Sequence, residues 1–135
     1  MASDRVRRSP QEKIVILDTN AILMLFEFSI DLKDELTRLL GVYRLIIPTA
    51  IIEELNILIE RGEGVRAMRA KAALQFVKDA ETRDAEGTTG DDAVVHLARE
   101  LNGIVVTNDK KLRQQLKEYS VPVIYLRKKQ FLCME

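Results

Sequence analysis

Four acidic positions in this chain lie at the end of a predicted strand or near the start of a predicted helix. Asp18 directly follows the apolar run of residues 14–17, and Asp109 follows residues 104–106 after two polar residues. Short apolar runs of this kind are typical of strands buried on both faces of a parallel sheet. In open α/β sheets, ligands bind at the carboxyl ends of the strands. The two aspartates therefore point to a site at one edge of a sheet.

Both aspartates also have an ordinary structural interpretation. An Asp that precedes a helix commonly acts as its N-cap, where the carboxylate accepts a backbone N–H and stabilises the helix by about 1 kcal/mol. Taken singly, Asp18 and Asp109 fit this interpretation. A ligand role for them depends on other acids arriving at the same edge.

Glu54 does not fit a cap, because it lies one turn inside the helix predicted for residues 48–61. The apolar stripe of this helix consists of Ile51, Ile52, Leu55, Leu58 and Ile59. At about 100° per residue, Glu54 falls between Ile57 and Leu58, whereas Glu53 points further towards solvent. The alternative is an edge residue whose aliphatic stem packs on the core.

The fourth acidic position lies in the segment Thr88-Thr89-Gly90-Asp91-Asp92, ahead of a predicted helix. The buried stripe of that helix consists of Val94, Leu97, Ala98 and Leu101. Asp91 borders this stripe and Asp92 points almost opposite to it, so helix geometry favours Asp91 as the inward carboxylate. A capping box, with Thr88 and Asp91 or Thr89 and Asp92, is the structural alternative. Because sequence places a helix boundary only to within a residue or two, Asp92 remains a second candidate.

The joint occurrence of four such acids suggests a cation site. Close carboxylates repel one another by up to about 4 kcal/mol per pair at an effective dielectric constant of 20. A fold keeps such a cluster by protonating some of its members or by binding a cation. Ligands that are all oxygens suit Mg²⁺ or Mn²⁺. A site of this kind points to metal-assisted hydrolysis of phosphodiesters.

The elements that position these acids alternate between strands and helices. Strands are predicted for residues 14–17, 43–47, 104–106 and 121–126, and helices for residues 21–28, 31–40, 48–61, 65–81, 91–102 and 110–119. This alternation predicts a three-layer α/β/α sandwich with a mostly parallel central sheet. The long helix of residues 65–81 is expected to bury Val65, Met68, Ala72, Leu74, Phe76 and Val77. Residues 1–12 are expected to form a flexible basic arm, residues 13–127 the domain and residues 128–135 a tail.

Composition limits the class of protein. Lys and Arg total 21, as do Asp and Glu, so the chain lacks the strongly basic balance of many nucleic-acid-binding proteins. The single cysteine, Cys133, excludes an internal disulfide. Neither a signal peptide nor an apolar run of membrane-spanning length is found, and a cytoplasmic location is expected.

The four acidic segments occur in an order that resembles the PIN-domain ribonucleases. The matching segments are Ile16-Leu17-Asp18-Thr19-Asn20, Ile47-Pro48-Thr49-Ala50-Ile51-Ile52-Glu53-Glu54-Leu55, Gly90-Asp91-Asp92-Ala93-Val94-Val95 and Thr107-Asn108-Asp109-Lys110-Lys111-Leu112. The resemblance covers essentially all of residues 13–127. It implies a PIN-like fold and cleavage of single-stranded RNA with Mg²⁺ or Mn²⁺ as cofactor.

The resemblance also assigns roles to individual residues. The implied catalytic and metal-binding acids are Asp18, Glu54, Asp91 and Asp109, and Asp92 is kept as a further candidate metal ligand. The implied supporting polar residues are Thr19, Asn20 and Thr107. From the sequence itself, Lys110 and Lys111 adjoin Asp109 and are candidates for binding an RNA phosphate. A solvated helix face is the alternative for these two lysines.

Two branches of the family compete. The paired Asp91-Asp92 and the segment Thr107-Asn108-Asp109-Lys110 resemble the nucleases of small-subunit ribosomal RNA maturation, whose partner would be pre-ribosomal RNA. The compact chain without zinc-binding cysteines resembles VapC-type toxins, whose partner would be an antitoxin protein. A homodimer formed through Leu25, Phe26 and Phe28 is a further expectation. A catalytically silent PIN-like module that binds RNA or protein is the alternative function.

Overall fold

The strand that precedes Asp18 lies at the centre of the sheet. A computed structural model describes residues 12–85 and 89–135. Its strands are β1 (Lys13–Leu17), β2 (Tyr43–Pro48), β3 (Glu81–Arg83), β4 (Ile104–Val106), β5 (Val123–Arg127) and β6 (Phe131–Met134). All four residues of β1 after Lys13 are buried. Burial of each such aliphatic side chain stabilises the fold by roughly 1.5–3 kcal/mol, so β1 is held firmly in place.

The order of strands places a switch point beside β1. The order in the described sheet is β3-β2-β1-β4-β5-β6, and β6 alone runs antiparallel to its neighbour. The chain therefore builds the sheet outwards from β1 in one direction, returns to β4, and builds outwards in the other. At such a point the loops that follow β1 and β4 diverge, and a crevice opens at their carboxyl ends. Asp18 and Asp109 both lie in these loops.

Helices cover both faces of the sheet. They are α1 (Thr19–Glu27), α2 (Leu32–Leu40), α3 (Thr49–Arg61), α4 (Gly64–Val77), α5 (Gly90–Leu101) and α6 (Lys110–Glu118). Helix α3 packs against α4, and α5 packs on β1, β2 and β4. The predicted three-layer α/β/α sandwich with a mostly parallel sheet is confirmed. Within the described residues, no helix combines the length and apolar character needed to cross a bilayer.

Both edge strands of the sheet differ from expectation. β3 occupies a segment that was expected to end a helix and begin a loop, and β6 lies within the expected C-terminal tail of residues 128–135. The tail prediction is wrong for Phe131–Met134, because this segment pairs antiparallel with β5 and buries Leu132. Residues 1–11 of the expected basic arm lie outside the described residues. Residues 86–88, which include Thr88, also lie outside them.

The apolar residues of α4 are distributed differently from expectation. Ala70, Ala73 and Val77 are buried, whereas Val65, Met68 and Phe76 are 55%, 64% and 45% exposed. Small side chains form the buried face because α4 packs closely against α3 and α1. The Leu25 side chain, expected at a dimer interface, is instead 4% exposed and belongs to the core.

Candidate active site

The four predicted acids line one cavity. Asp18, Glu54, Asp91 and Asp109 surround a space of about 370 Å³ at the carboxyl ends of β1 and β4. Thr19 and Asn20, predicted as supporting residues, line the same cavity. Residues far apart in the sequence are thus brought together at the switch point of the sheet, where ligands bind in folds of this class.

Asp18 is the most deeply placed of these acids, with 2% of its surface exposed. It caps α1, since Oδ1 accepts a hydrogen bond of 2.6 Å from the Ala21 N–H, and Oδ2 accepts one of 2.6 Å from the Thr107 hydroxyl. Burial raises the pKa of Asp18 from its ordinary value of 3.8 to about 6, the two hydrogen bonds lower it, and the charges of Asp91 and Asp109 raise it. The cap and ligand interpretations are therefore compatible, because each oxygen retains a second lone pair.

Asp109 is linked to Asp18 through Thr107. The Asp109 N–H donates to the Thr107 hydroxyl at 3.1 Å, and the same hydroxyl donates to Asp18. Asp109 also caps α6, since its Oδ1 accepts a hydrogen bond of 3.0 Å from the Leu112 N–H. Thr107 is fully buried and links the Asp18 carboxylate to the backbone of Asp109. This geometry agrees with the supporting role predicted for Thr107.

Glu54 is held by two donors from other elements. The Thr19 hydroxyl donates to Oε1, and the Gly90 N–H donates to Oε2 at 3.2 Å. Helix periodicity predicted the direction of this side chain, and the cavity is indeed lined by Glu54 with Ile57 and Leu58. A charged carboxylate that accepts two hydrogen bonds is held in one orientation.

Gly90 is a positioning residue that sequence reasoning missed. A Cβ atom at this position would lie 2.5 Å from Glu54 Oε2 and 2.6 Å from Oε1. Only glycine therefore lets the carboxylate lie against the first turn of α5. Its position ahead of Asp91 was visible, but its contact with a residue 36 positions earlier was not.

We expect Gly90→Ala to displace the Glu54 carboxylate and to reduce the RNA cleavage that the resemblance implies about 10- to 100-fold, the usual size of effect when the residues that hold a metal-site carboxylate are disturbed. The circular dichroism spectrum should be unchanged, because α5 tolerates alanine well. Ala93→Gly, one turn further along α5, is the comparison variant, because it exchanges alanine and glycine within the same helix. Full activity of Gly90→Ala would show that Glu54 needs no fixed position.

Asp91 and Asp92 differ in their relation to the cavity. Asp91 lines it, and Asp92 does not. Partial burial raises the pKa of Asp91, the charges of Asp109, Glu54 and Asp92 raise it further, and the charge of Lys111 lowers it. The backbone N–H of Asp92 donates to the Thr89 hydroxyl at 3.1 Å, which makes Thr89 the cap of α5. The helix register therefore agrees with Asp91 as the inward acid.

We expect Asp91→Asn to reduce activity at least about tenfold more than Asp92→Asn, because only the first change removes a charge from the cavity wall. The two variants remove the same charge from adjacent positions in the first turn of α5, so each serves as the control for the other. Measurement of kcat/KM on one RNA oligonucleotide separates them. The reverse order would place the third acid at Asp92.

The donor set fits Mg²⁺ or Mn²⁺, because every candidate ligand is an oxygen. Across residues 12–85 and 89–135, no group of three His, Cys, Asp or Glu side chains is arranged to hold one ion. Mg²⁺ commonly binds through one or two carboxylates and completes its shell with water and substrate phosphate. The charges of Asp91 and Asp109 both raise the pKa of Asp18, so these carboxylates interact electrostatically around the cavity that they line.

The two predicted RNA-binding lysines face different regions. The charge of Lys111 lowers the pKa of Asp91 and therefore acts near the cavity. Lys110 lines a separate cleft of about 400 Å³ with Arg113, Lys117 and Glu135. A third basic residue, Arg66 of α4, lines the acidic cavity itself. Its place there could not be read from the sequence, in which it was one of several basic residues on a long helix.

Known proteins are similar to this chain in sequence and in fold. Ribonuclease VapC4 of Methanocaldococcus jannaschii is 31% identical over 121 residues, covering 87% of this chain and 92% of the relative. Ribonuclease VapC9 of Archaeoglobus fulgidus is 27% identical over 135 residues, which span 100% of this chain and 98% of the relative. The PIN domain endonuclease Utp24 has a solved structure that superposes with a TM-score of 0.74 at 27% identity, covering 90% of each chain. The PIN-like domain family matches residues 15–129, so the resemblance is confirmed and the chain belongs to this family.

Proposed function

We propose that this protein is a Mg²⁺- or Mn²⁺-dependent endoribonuclease that hydrolyses phosphodiester bonds of single-stranded RNA. The observation that carries the proposal is the convergence of Asp18, Glu54, Asp91 and Asp109 on one cavity at the switch point of the sheet. The ribonucleases VapC4 and VapC9 are similar along most of the chain, and this similarity supports the same class of reaction.

The proposed division of labour follows from burial and hydrogen bonding. Asp18, with Asp91 or Asp109, would hold the metal ion, which when bound supplies Lewis-acid chemistry for attack by water on phosphorus. Thr107 orients Asp18, and Thr19 with the Gly90 N–H orients Glu54. Fixed carboxylates lower the reorganisation needed in the transition state, because their dipoles and charges are already in place.

Cleavage of a fluorescent, unstructured RNA oligonucleotide tests the proposal. Purified protein should cleave the RNA with Mg²⁺ or Mn²⁺ and leave it intact with EDTA, and the DNA oligonucleotide of the same sequence serves as the comparison substrate. Calorimetric titration with Mn²⁺ detects metal binding independently of cleavage. A catalytically silent binding module would give no metal-stimulated cleavage, and that result would reject the nuclease function.

The two branches of the family differ in their biological substrate and partner. Similarity to the ribonucleases VapC4 and VapC9 favours the VapC-type toxin branch, whose partner would be an antitoxin protein. The segment Thr107-Asn108-Asp109-Lys110 favours the branch of small-subunit ribosomal RNA maturation, whose substrate would be pre-ribosomal RNA. Mapping of cleavage ends in total RNA after induced expression distinguishes them. Ends confined to ribosomal RNA precursors favour maturation, whereas growth arrest relieved by a small co-expressed partner favours the toxin.

A further inference from the structure

The acidic cavity extends beyond the four carboxylates. One turn after Glu54, Ile57 and Leu58 of α3 line the cavity, and Arg66 from the first turn of α4 lines it as well. Ile57 is 46% exposed although it is a large aliphatic residue. The cavity therefore combines an acidic region with an apolar and basic region.

Arg66 has no ion-pair partner in residues 12–85 and 89–135. The guanidinium thus shares a cavity with the acids without forming an ion pair with any of them in the described residues. A charged, planar group with five N–H donors in this position is available for an external anion.

Two glycines determine where Arg66 stands. The Gly62 N–H donates to the Leu58 carbonyl at 2.8 Å, and a Cβ atom on Gly62 would collide with that same carbonyl oxygen. Gly64 has φ = +64°, a left-handed conformation that favours glycine. The short turn between α3 and α4 therefore returns the chain beside Leu58 and brings Arg66 to the cavity that Leu58 lines.

We propose that Arg66 binds the RNA phosphate next to the scissile one, and that Ile57 and Leu58 contact the sugar or base of that nucleotide. This inference rests on the proposed function, since it takes RNA as the substrate. The scissile phosphate belongs beside the carboxylates that would hold a metal ion. A guanidinium that lines the same cavity without pairing with these carboxylates is suited to the next phosphate along the strand, and bidentate pairing with phosphate is the interaction to which arginine is best suited.

Binding of a fluorescent single-stranded RNA at several salt concentrations tests the subsite directly. The Asp18→Asn protein is the parent for these measurements, so that the RNA stays intact. Adding Arg66→Gln should weaken binding about tenfold and reduce the slope of log K against log salt by about 0.7, the value for one lost phosphate contact. Arg66→Lys should keep most of the salt slope, because it keeps the charge.

Lys78→Gln is the matched control. Lys78 is exposed and lies at the other end of α4, about 18 Å from Arg66 at 1.5 Å per residue. Its replacement by glutamine removes one positive charge, as Arg66→Gln does. It should leave both the affinity and the salt slope unchanged. In the otherwise wild-type protein, Arg66→Gln should lower kcat/KM about tenfold without altering Mn²⁺ affinity.

The outcomes separate this inference from the proposed function. Equal affinity and equal salt slope for Arg66→Gln and its parent would reject the subsite, even if the wild-type protein cleaves RNA. Absence of RNA binding by the parent would reject it as well. A reduced slope in Arg66→Gln together with no metal-stimulated cleavage by the wild-type protein would support a phosphate contact at Arg66, but it would reject the nuclease and with it the position next to a scissile phosphate.

Discussion

Asp18→Asn is expected to lower kcat/KM for RNA cleavage by about 10³-fold or more. The change removes the charge of the most buried acid in the cavity while keeping the size of the side chain. Loss of a metal ligand removes several kcal/mol of transition-state stabilisation, and each 1.36 kcal/mol corresponds to a factor of ten in rate. Single-turnover cleavage with Mn²⁺ measures the loss, and calorimetry should record weaker Mn²⁺ binding in the same variant.

The fold should survive this substitution. The asparagine Oδ1 can still accept from the Ala21 N–H, and its amide can donate to the Thr107 hydroxyl in place of the present bond. Thr107→Val is the informative companion, because it keeps the Asp18 carboxylate and removes the hydroxyl that donates to it and accepts from the Asp109 N–H. A loss of about 10- to 100-fold is expected for that variant. Cleavage by Asp18→Asn at the wild-type rate would exclude Asp18 from the mechanism.

Local sequence patterns were sufficient to predict that Asp18 and Glu54 point towards the cavity. A buried strand followed by a turn fixes Asp18, and the 100° helical period fixes the direction of Glu54 towards Ile57 and Leu58. The cap interpretation of Asp18 and Asp109 is correct, since both carboxylates accept an N–H from the helix that follows, and the ligand interpretation stays a prediction. Sequence presented cap and ligand as alternatives, whereas a carboxylate with two oxygens can serve as both.

The edge strands could not be predicted for a physical reason. β3 has the sequence Glu-Thr-Arg, which lacks an apolar pattern, and it is a strand because Glu81 and its neighbours pair with β2. An ion pair of 2.7 Å between Arg44 and Glu81 accompanies this pairing. β6 follows a tight turn after β5 and depends on that strand for its hydrogen bonds. In both cases the segment is a strand because of its pairing with the neighbouring strand, and this pairing cannot be read from the sequence of the segment itself.

The contacts that shape the site are equally non-local. Gly90 is required by a carboxylate 36 residues earlier, and Arg66 reaches the cavity through a turn whose geometry depends on Gly62 and Gly64. Hydrophobic periodicity assigned Val65, Met68 and Phe76 to the buried face of α4, but close helix packing selected alanines instead. Residue type led to the proposed chemistry of the site, and the three-dimensional fold determined which other residues line the cavity.

In the absence of metal, the free energy of unfolding is expected to fall as the pH rises from about 4 to 7. The pKa of Asp18 is raised from 3.8 to about 6 in the folded protein, mainly by burial. Between these values the folded state binds more protons than the unfolded state, so stability decreases with pH. The full contribution is about 3 kcal/mol, and the raised pKa of Asp91 acts in the same direction. Thermal unfolding in EDTA should show a fall in Tm on the order of 10 °C.

Comparison with Asp18→Asn isolates this contribution from other titrating groups. The asparagine variant should be more stable than the wild-type protein at pH 7.5 and nearly equal to it at pH 4, because only the wild-type side chain ionises between these values. Asp79→Asn, a change at an exposed carboxylate, is the control. It should leave the difference in stability between pH 4 and pH 7.5 the same as in the wild-type protein. Mn²⁺ at pH 7.5 should raise the Tm of the wild-type protein and raise that of Asp18→Asn much less, since the ion favours the charged carboxylate. Parallel pH profiles for wild type and Asp18→Asn would mean that the buried carboxyl does not oppose folding.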